Sequence, residues 1–245
     1  MIILRDFAQF FVKSMAATFS PPYRWKDIGN QIVFVAWDSA PVVLFSVSFA
    51  AMVTIMESSY HMKLVIQNDA LVPGFAALLI LRELGSVVTA LLLTSRVGAG
   101  LAAEVGSMQI TEQIDALKML GINPFRFLVA PRFIACVVGG FALSIVANVV
   151  CLYCAMVVSE FRLGYSPGAF LSAMRGFVTM KDLMFASVKG ACFGAAIPLV
   201  SCFFGFRCKS GAEGVGLATT NSVVVASVVI IVMDFVLSFI FSHYY

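Results

Sequence analysis

The stretch "FIACVVGGFALSIVANVVCLYCAMVVS", residues 133–159, contains no charged side chain. A helix needs about 20 predominantly apolar residues to cross a bilayer, so this stretch is long enough to span a membrane. The composition of the whole chain agrees, because 61% of its 245 residues are hydrophobic and only 12% are charged, about half the share of a soluble domain. So few charges cannot cover a water-exposed surface. We therefore expect an all-α polytopic membrane protein forming a single domain.

Four further apolar stretches meet the same criterion, and they predict transmembrane helices at residues 38–60, 70–95, 183–206 and 222–241. Five spans place the two termini on opposite sides of the membrane. Lys and Arg are more numerous on the side of the N-terminus, so we expect the N-terminus to be cytoplasmic and the C-terminus to lie outside the cytoplasm.

Residues 1–22 differ from the predicted spans, because apolar and polar side chains recur there with the period of a helix. This pattern predicts an amphipathic helix that lies in the membrane interface. A helix packed on the transmembrane bundle is an alternative that is compatible with the first.

Charged residues inside the predicted spans are candidates for a functional role. Arg82 and Glu83 lie near the middle of the second span. Because neighbouring helical residues point about 100° apart, the two side chains cannot both face one direction. A charge at this depth is expected to face a bundle interior or a wet cavity, and a buried polar clamp between helices is the structural alternative. Lys189 is expected to snorkel to the outer interface. Asp234 is expected to bond to a neighbouring helix or to a second copy of the chain.

Residues 104–121, between the second and third spans, show an apolar pattern compatible with a helix and are followed by Pro124. They predict a short amphipathic cytoplasmic helix. Such a helix suits the groove of a partner protein, and a helix lying on the membrane surface is the alternative.

Several kinds of chemistry find no support in the sequence. The glycine-rich "GAEGVG" at residues 211–216 lacks the G-K-[ST] with which a P-loop holds phosphate and Mg²⁺, so any ATP would be bound by a separate subunit. His61 and His243 belong to no ligand cluster, and we expect no metal and no cofactor bound by this chain. No nucleophile–base pair indicates an enzyme. We also expect no nucleic-acid partner.

Two long motifs carry a resemblance to a known family. "RELGSVVTALLLTSRVGAGLAAEVGSMQITEQIDAL" at residues 82–117 and "GAEGVGLATTNSVVVAS" at residues 211–227 resemble the MlaE/YrbE permease family, the membrane subunits of lipid-transporting ABC systems. The resemblance extends from about residue 28 to the end of the chain. The main departure is Ser86, where the family usually has proline. Serine is expected to leave the helix straighter than proline would.

The resemblance implies a homodimeric permease of a bacterial inner membrane, with a periplasmic C-terminus. It implies a cytoplasmic ATPase subunit that uses ATP and Mg, a periplasmic ring of Mce-domain (MlaD-like) partners, and a phospholipid substrate. Arg82 and Glu83 match the pair near the lipid cavity, and residues 104–121 match the helix that couples to the ATPase. The matching coupling residues are Glu104, Met108, Glu112 and Gln113. An ion-coupled secondary transporter or channel and a non-transporting membrane scaffold remain alternatives.

Overall fold

The computed structural model describes residues 2–20, 24–65, 71–209 and 211–244, and these residues form helices joined by short connections. We number the helices in chain order. They are α1 (Ile2–Thr18), α2 (Trp25–Met62), α3 (Val72–Ile110), α4 (Gln113–Met119), α5 (Phe125–Leu163), α6 (Pro167–Phe177), α7 (Met180–Phe206) and α8 (Gly211–Tyr244).

Five helices, α2, α3, α5, α7 and α8, are long and apolar enough to cross a membrane, which confirms the predicted all-α polytopic fold. Each of these helices is longer than the span predicted for it. Helix α3 continues through Ile110 and α8 already begins at Gly211, so much of the sequence expected to form polar loops is helical. Part of the predicted turn after the first span, residues 66–70, lies outside the described residues.

The prediction of one helix over residues 104–121 is wrong in detail. The residues up to Ile110 complete α3, and the chain then turns at Thr111 and Glu112 before α4 begins. The physical reason is the backbone of Glu112, whose φ of 57° lies in the left-handed region and interrupts a right-handed helix. Gly121, with φ 74°, ends the unit in a conformation that glycine adopts without strain.

Helix α1 packs against the bundle through an aromatic cluster. The ring of Phe10 lies 5.6 Å from that of Phe203 in α7 and 5.3 Å from that of Phe125 at the start of α5. Asp6 adds an ion pair to Arg207 at 2.7 Å. Packing on the bundle therefore holds for the described part of the predicted N-terminal helix. Its position in the membrane interface stays a prediction.

Small residues bring the central helices α5 and α7 close together. A Cβ added to Gly194 in α7 would overlap the carbonyl oxygen of Cys136 in α5. Likewise, one added to Gly190 would overlap the hydroxyl of Ser144. Close backbone approach at small residues is a common way for membrane helices to associate. This contact fixes the depth of α7 relative to its neighbours and so positions the charged residues described next.

Candidate functional site

Arg82 lies in a π-helical stretch of α3, Ile80–Val88, where backbone hydrogen bonds reach five residues back instead of four. Such segments are frequent at functional sites, but the described residues contain three more of them, so the geometry alone does not mark Arg82 as functional. The stretch includes Ser86, so the widened geometry occurs without the proline that the family usually has there. That serine leaves the helix straighter than proline would stays a prediction.

Arg82 forms an ion pair with Asp182, a residue in the first turn of α7. Its Nε and Nη2 lie 2.7 and 2.6 Å from Asp182 Oδ1. The second carboxylate oxygen accepts hydrogen bonds from the backbone N–H and the hydroxyl of Thr179, at 2.9 and 2.8 Å. The Asp182 side chain is fully buried. Asp182 therefore has two tasks, because it caps the start of α7 and holds the guanidinium of α3 in place.

Glu83 binds a different set of partners, as its direction on the helix requires. Its Oε1 lies 3.1 Å from the Nζ of Lys189 in α7, and the hydroxyl of Ser238 in α8 donates to the same oxygen at 3.4 Å. The Glu83 side chain is 48% exposed. Glu83 is therefore more accessible than the carboxylates of Asp182 and Asp234, and part of its side chain lies on the surface of the bundle.

Lys189 connects all three helices. Its ammonium donates to the backbone carbonyl oxygen of Arg82 at 2.8 Å and lies 2.7 Å from Asp234 Oδ1 in α8. The side chain has 0% exposure, so the prediction that Lys189 snorkels to the outer interface is wrong. The physical reason is that two carboxylates and a backbone carbonyl lie within reach of the ammonium. Their interactions with it replace the hydrogen bonds to water that it loses on burial.

We call Arg82, Glu83, Asp182, Lys189 and Asp234 the intramembrane charge network. Two aromatic side chains close it on one side. Phe185 of α7 and Phe241 of α8 stack with ring centroids 4.0 Å apart. The Lys189 ammonium lies 4.8 Å from the first ring, and the Arg82 guanidinium 5.3 Å from the second. The aromatic faces favour cations at these distances, so they help to hold both side chains inside the bundle.

Helices α2 and α3 enclose a cleft of about 480 Å³ that is mainly apolar but also has Glu57 and His61 in its wall. Its wall includes Val53 from α2 and Phe75 and Leu79 from α3. Leu79 precedes Glu83 by four residues, which is about one helical turn. Glu83 does not itself line the cleft, whose volume is large enough for part of a ligand.

The predicted coupling residues occupy a separate region. Glu104, near the end of α3, binds the buried Arg132 of α5 at 2.7 Å, and Met108 packs against the core cluster that includes Phe10 and Phe203. Glu112 and Gln113 are exposed where α4 begins. The four residues therefore divide into two that contact the bundle and two at an exposed tip.

The sequence prediction of the site missed Asp182 and misplaced Lys189. Asp182 lies just outside the predicted span 183–206, although the spacing Thr179-x-x-Asp182 before an apolar run is a capping signal. Asp234 in another predicted span carries the opposite charge, and this could have predicted that Lys189 is paired inside the bundle. The expectation that Asp234 bonds to a neighbouring helix is met by its contact with Lys189.

Comparison with known proteins shows the family. The model of the permease MlaE family matches residues 28–240. A probable ABC transporter permease protein of Rickettsia typhi is 31% identical over 95% of this chain and 89% of its own length. The intermembrane phospholipid transport system permease protein MlaE of Haemophilus influenzae is 35% identical, over 85% and 80%. The chloroplastic protein TRIGALACTOSYLDIACYLGLYCEROL 1 of Arabidopsis thaliana is 31% identical, over 89% and 62%. The chain is therefore a multi-pass membrane protein that belongs to the MlaE permease family.

Proposed function

We propose that this chain is the permease subunit of an ABC transporter that moves phospholipids between a bacterial inner membrane and a periplasmic Mce-domain ring. A separate cytoplasmic ATPase subunit supplies the energy from ATP and Mg. The name of the Haemophilus influenzae relative supports phospholipid as the substrate. The observation that carries the proposal is the intramembrane charge network, because two of its members, Arg82 and Glu83, are partly exposed.

Arg82 and Glu83 form the headgroup site of this proposal. Arg82 is 29% exposed and Glu83 48%, whereas Asp182 and Lys189 are buried and hold them in position. A phospholipid headgroup presents a phosphate, which guanidinium binds well. When all its members are ionised, the network has one more carboxylate than cations, so Glu83 suits the amine of a zwitterionic headgroup. The cleft beside Leu79 supplies apolar room for the acyl chains.

A second copy of the chain completes the site. A half-exposed carboxylate facing hydrocarbon is unfavourable, and such groups in membranes face a protein interior or a water-filled cavity. A homodimer that brings two Glu83 faces toward one central cavity satisfies this requirement. It also gives both copies access to the same lipid.

The ATPase subunit docks on the exposed end of α4, at Glu112 and Gln113. Movement of α4 reaches the bundle through the end of α3, where Glu104 binds Arg132 of α5. ATP acts by favouring one of two arrangements of the dimer, with a different affinity for lipid in each.

The proposal is tested by measuring phospholipid that remains bound to the purified chain. Glu83→Gln keeps the shape of the side chain and leaves Asp234 to accompany Lys189, so the fold is expected to survive. Mass spectrometry is expected to find about tenfold less phospholipid per protein, the loss of one charge-assisted hydrogen bond. Arg162→Gln, at the exposed end of α5, serves as the control and should retain the phospholipid. Equal retention by both variants would overturn the assignment of the headgroup site.

An ion-coupled transporter is a second candidate, and the contact of Lys189 with two carboxylates favours it. Three titratable groups inside a membrane are typical of ion or proton pathways. The two candidates differ in their energy source. Phospholipid transport that continues with a catalytically dead ATPase subunit, and stops when the proton gradient is removed, would establish the ion-coupled transporter.

A further inference from the structure

A cavity of about 370 Å³ lies between the end of α1, the first turns of α2 and the first turns of α5. It is far along the chain from the charge network and shares no residue with it. Two guanidinium side chains line it, Arg24 before α2 and Arg126 in α5. Its volume lies within the range of small-molecule binding sites.

Apolar side chains form the other walls of this cavity. Ile28 of α2 and Phe127 and Ile134 of α5 line it together with the two arginines. Among the described residues that line the cavity, none carries a carboxylate. The site therefore combines positive charge with apolar surface, which matches an anion attached to a hydrophobic group.

Arg24 is held at the cavity wall by two contacts. Its guanidinium carbon lies 4.1 Å from the centroid of the Phe127 ring. Its Nε lies 2.7 Å from Asp27, and both residues line a neighbouring cavity, whereas only Arg24 lines this one. An arginine has four further N–H donors on its two Nη atoms, so the Asp27 contact leaves Arg24 able to bind a second anion.

The helices add to the positive potential. Both α2 and α5 begin beside the cavity, at Trp25 and Phe125, and a helix N-terminus carries a partial positive charge. The Trp25 side chain is 74% exposed, and exposed tryptophans are enriched at the headgroup level of membranes. The exposed Trp25 beside the cavity therefore favours a headgroup as its ligand.

We propose that this cavity binds the phosphate-bearing headgroup of an anionic membrane lipid, between Arg24 and Arg126. The lipid joins α1 to the start of α5 and is not the transported substrate. This site does not depend on the proposed transport function. A membrane lipid is favoured over a free phosphate ion because Ile28, Phe127 and Ile134 give apolar contact that inorganic phosphate cannot use.

The experiment uses the fluorescence of Trp25 in a Trp37→Phe background, which removes the second tryptophan of the chain. The purified chain is reconstituted in phosphatidylcholine vesicles that contain either brominated phosphatidylglycerol or brominated phosphatidylcholine. Bromine quenches tryptophan at short range, so stronger quenching by the anionic lipid reports its preferential binding. We expect a clear preference in the otherwise unchanged chain. Equal quenching by both lipids would overturn the proposal.

Arg24→Gln/Arg126→Gln is compared with Arg5→Gln/Lys26→Gln. The control removes two exposed positive charges at the same end of the chain, and neither residue lines the cavity. Both variants are expected to attract anionic lipid less, because each has lost two positive charges. The preference for phosphatidylglycerol over phosphatidylcholine is expected to fall about tenfold further in the cavity variant than in the control. Equal losses would show that surface charge alone attracts the lipid and would overturn the site.

Two further measurements test the site if the double variant fails to fold and distinguish a lipid from free phosphate. If the double cavity variant cannot be purified, Arg126→Gln is compared with Lys26→Gln, and an equal loss again contradicts the proposal. Inorganic phosphate at millimolar concentration and constant ionic strength is expected to leave the lipid preference unchanged. Abolition of the preference by phosphate would identify a free-phosphate site and overturn the assignment to a lipid.

Discussion

Side chains are mostly buried and paired in the intramembrane charge network, but they are mostly exposed at the tip, which is the end of the molecule around α4. In the network, polar groups from α3, α7 and α8 compensate one another, and Asp182 and Lys189 have no exposed side-chain surface. At the tip, Met119 is 86% exposed, and Ile114 is a buried residue that packs α4 against the core. The difference indicates that most groups of the network find their partners within the chain, whereas the tip exposes apolar surface. Substitutions should therefore affect stability in the first region and association in the second.

The largest effect is expected for Asp182→Asn, which removes the charge that holds Arg82 and weakens the cap of α7. Removing one partner of a fully buried ion pair typically costs about 3–5 kcal/mol. Because Arg82 is 29% exposed and keeps some contact with solvent, the lower end of this range, about 3 kcal/mol, applies. We expect a loss of this size in the free energy of unfolding, measured by denaturant titration of the purified protein in detergent.

Asp115→Asn is the matched control for this prediction. Asp115 pairs with Lys118 at 2.7 Å on the surface of α4, where both side chains are about half exposed. Exposed pairs contribute about 0.5 kcal/mol, so little change is expected. Similar losses in the two variants would contradict the idea that the network, rather than ion pairing in general, stabilises the bundle.

A smaller effect is expected for Gly194→Ala, which tests the packing that places the network. The added methyl group would overlap the backbone carbonyl of Cys136, and backbone cannot move aside as a flexible side chain can. Overpacking of this kind costs about 2 kcal/mol. Gly216→Ala in α8 is the control, because a Cβ there meets no atom within 4 Å and alanine favours a helix by up to about 1 kcal/mol. Thermal unfolding should separate the two, and a stabilised Gly194→Ala would refute the close contact of α5 and α7.

The two regions also differ in how well the sequence predicted them. The five spans were predictable because hydrophobic length is a local property that each helix shows by itself. The partners of Arg82 and Glu83 were not, because Asp182 and Lys189 reach them only once α7 has packed beside α3. A single-helix pattern does not contain that placement. The turn at Glu112 was missed for a similar reason, since glutamate is an ordinary helix former and only the surrounding structure holds it at positive φ.

The smallest effect on stability is expected at the tip, where Glu112→Lys should change the free energy of unfolding by no more than about 0.5 kcal/mol. Its effect on association should be large, because reversing a charge at a complementary interface juxtaposes like charges. Copurification of the ATPase subunit is expected to fall by at least about tenfold. Glu213→Lys, an equally exposed charge reversal at the start of α8, should leave copurification unchanged. Undiminished recovery of the ATPase with Glu112→Lys would show that the tip is not part of the docking surface. The exposed Met119 would then be assigned to contact with the membrane.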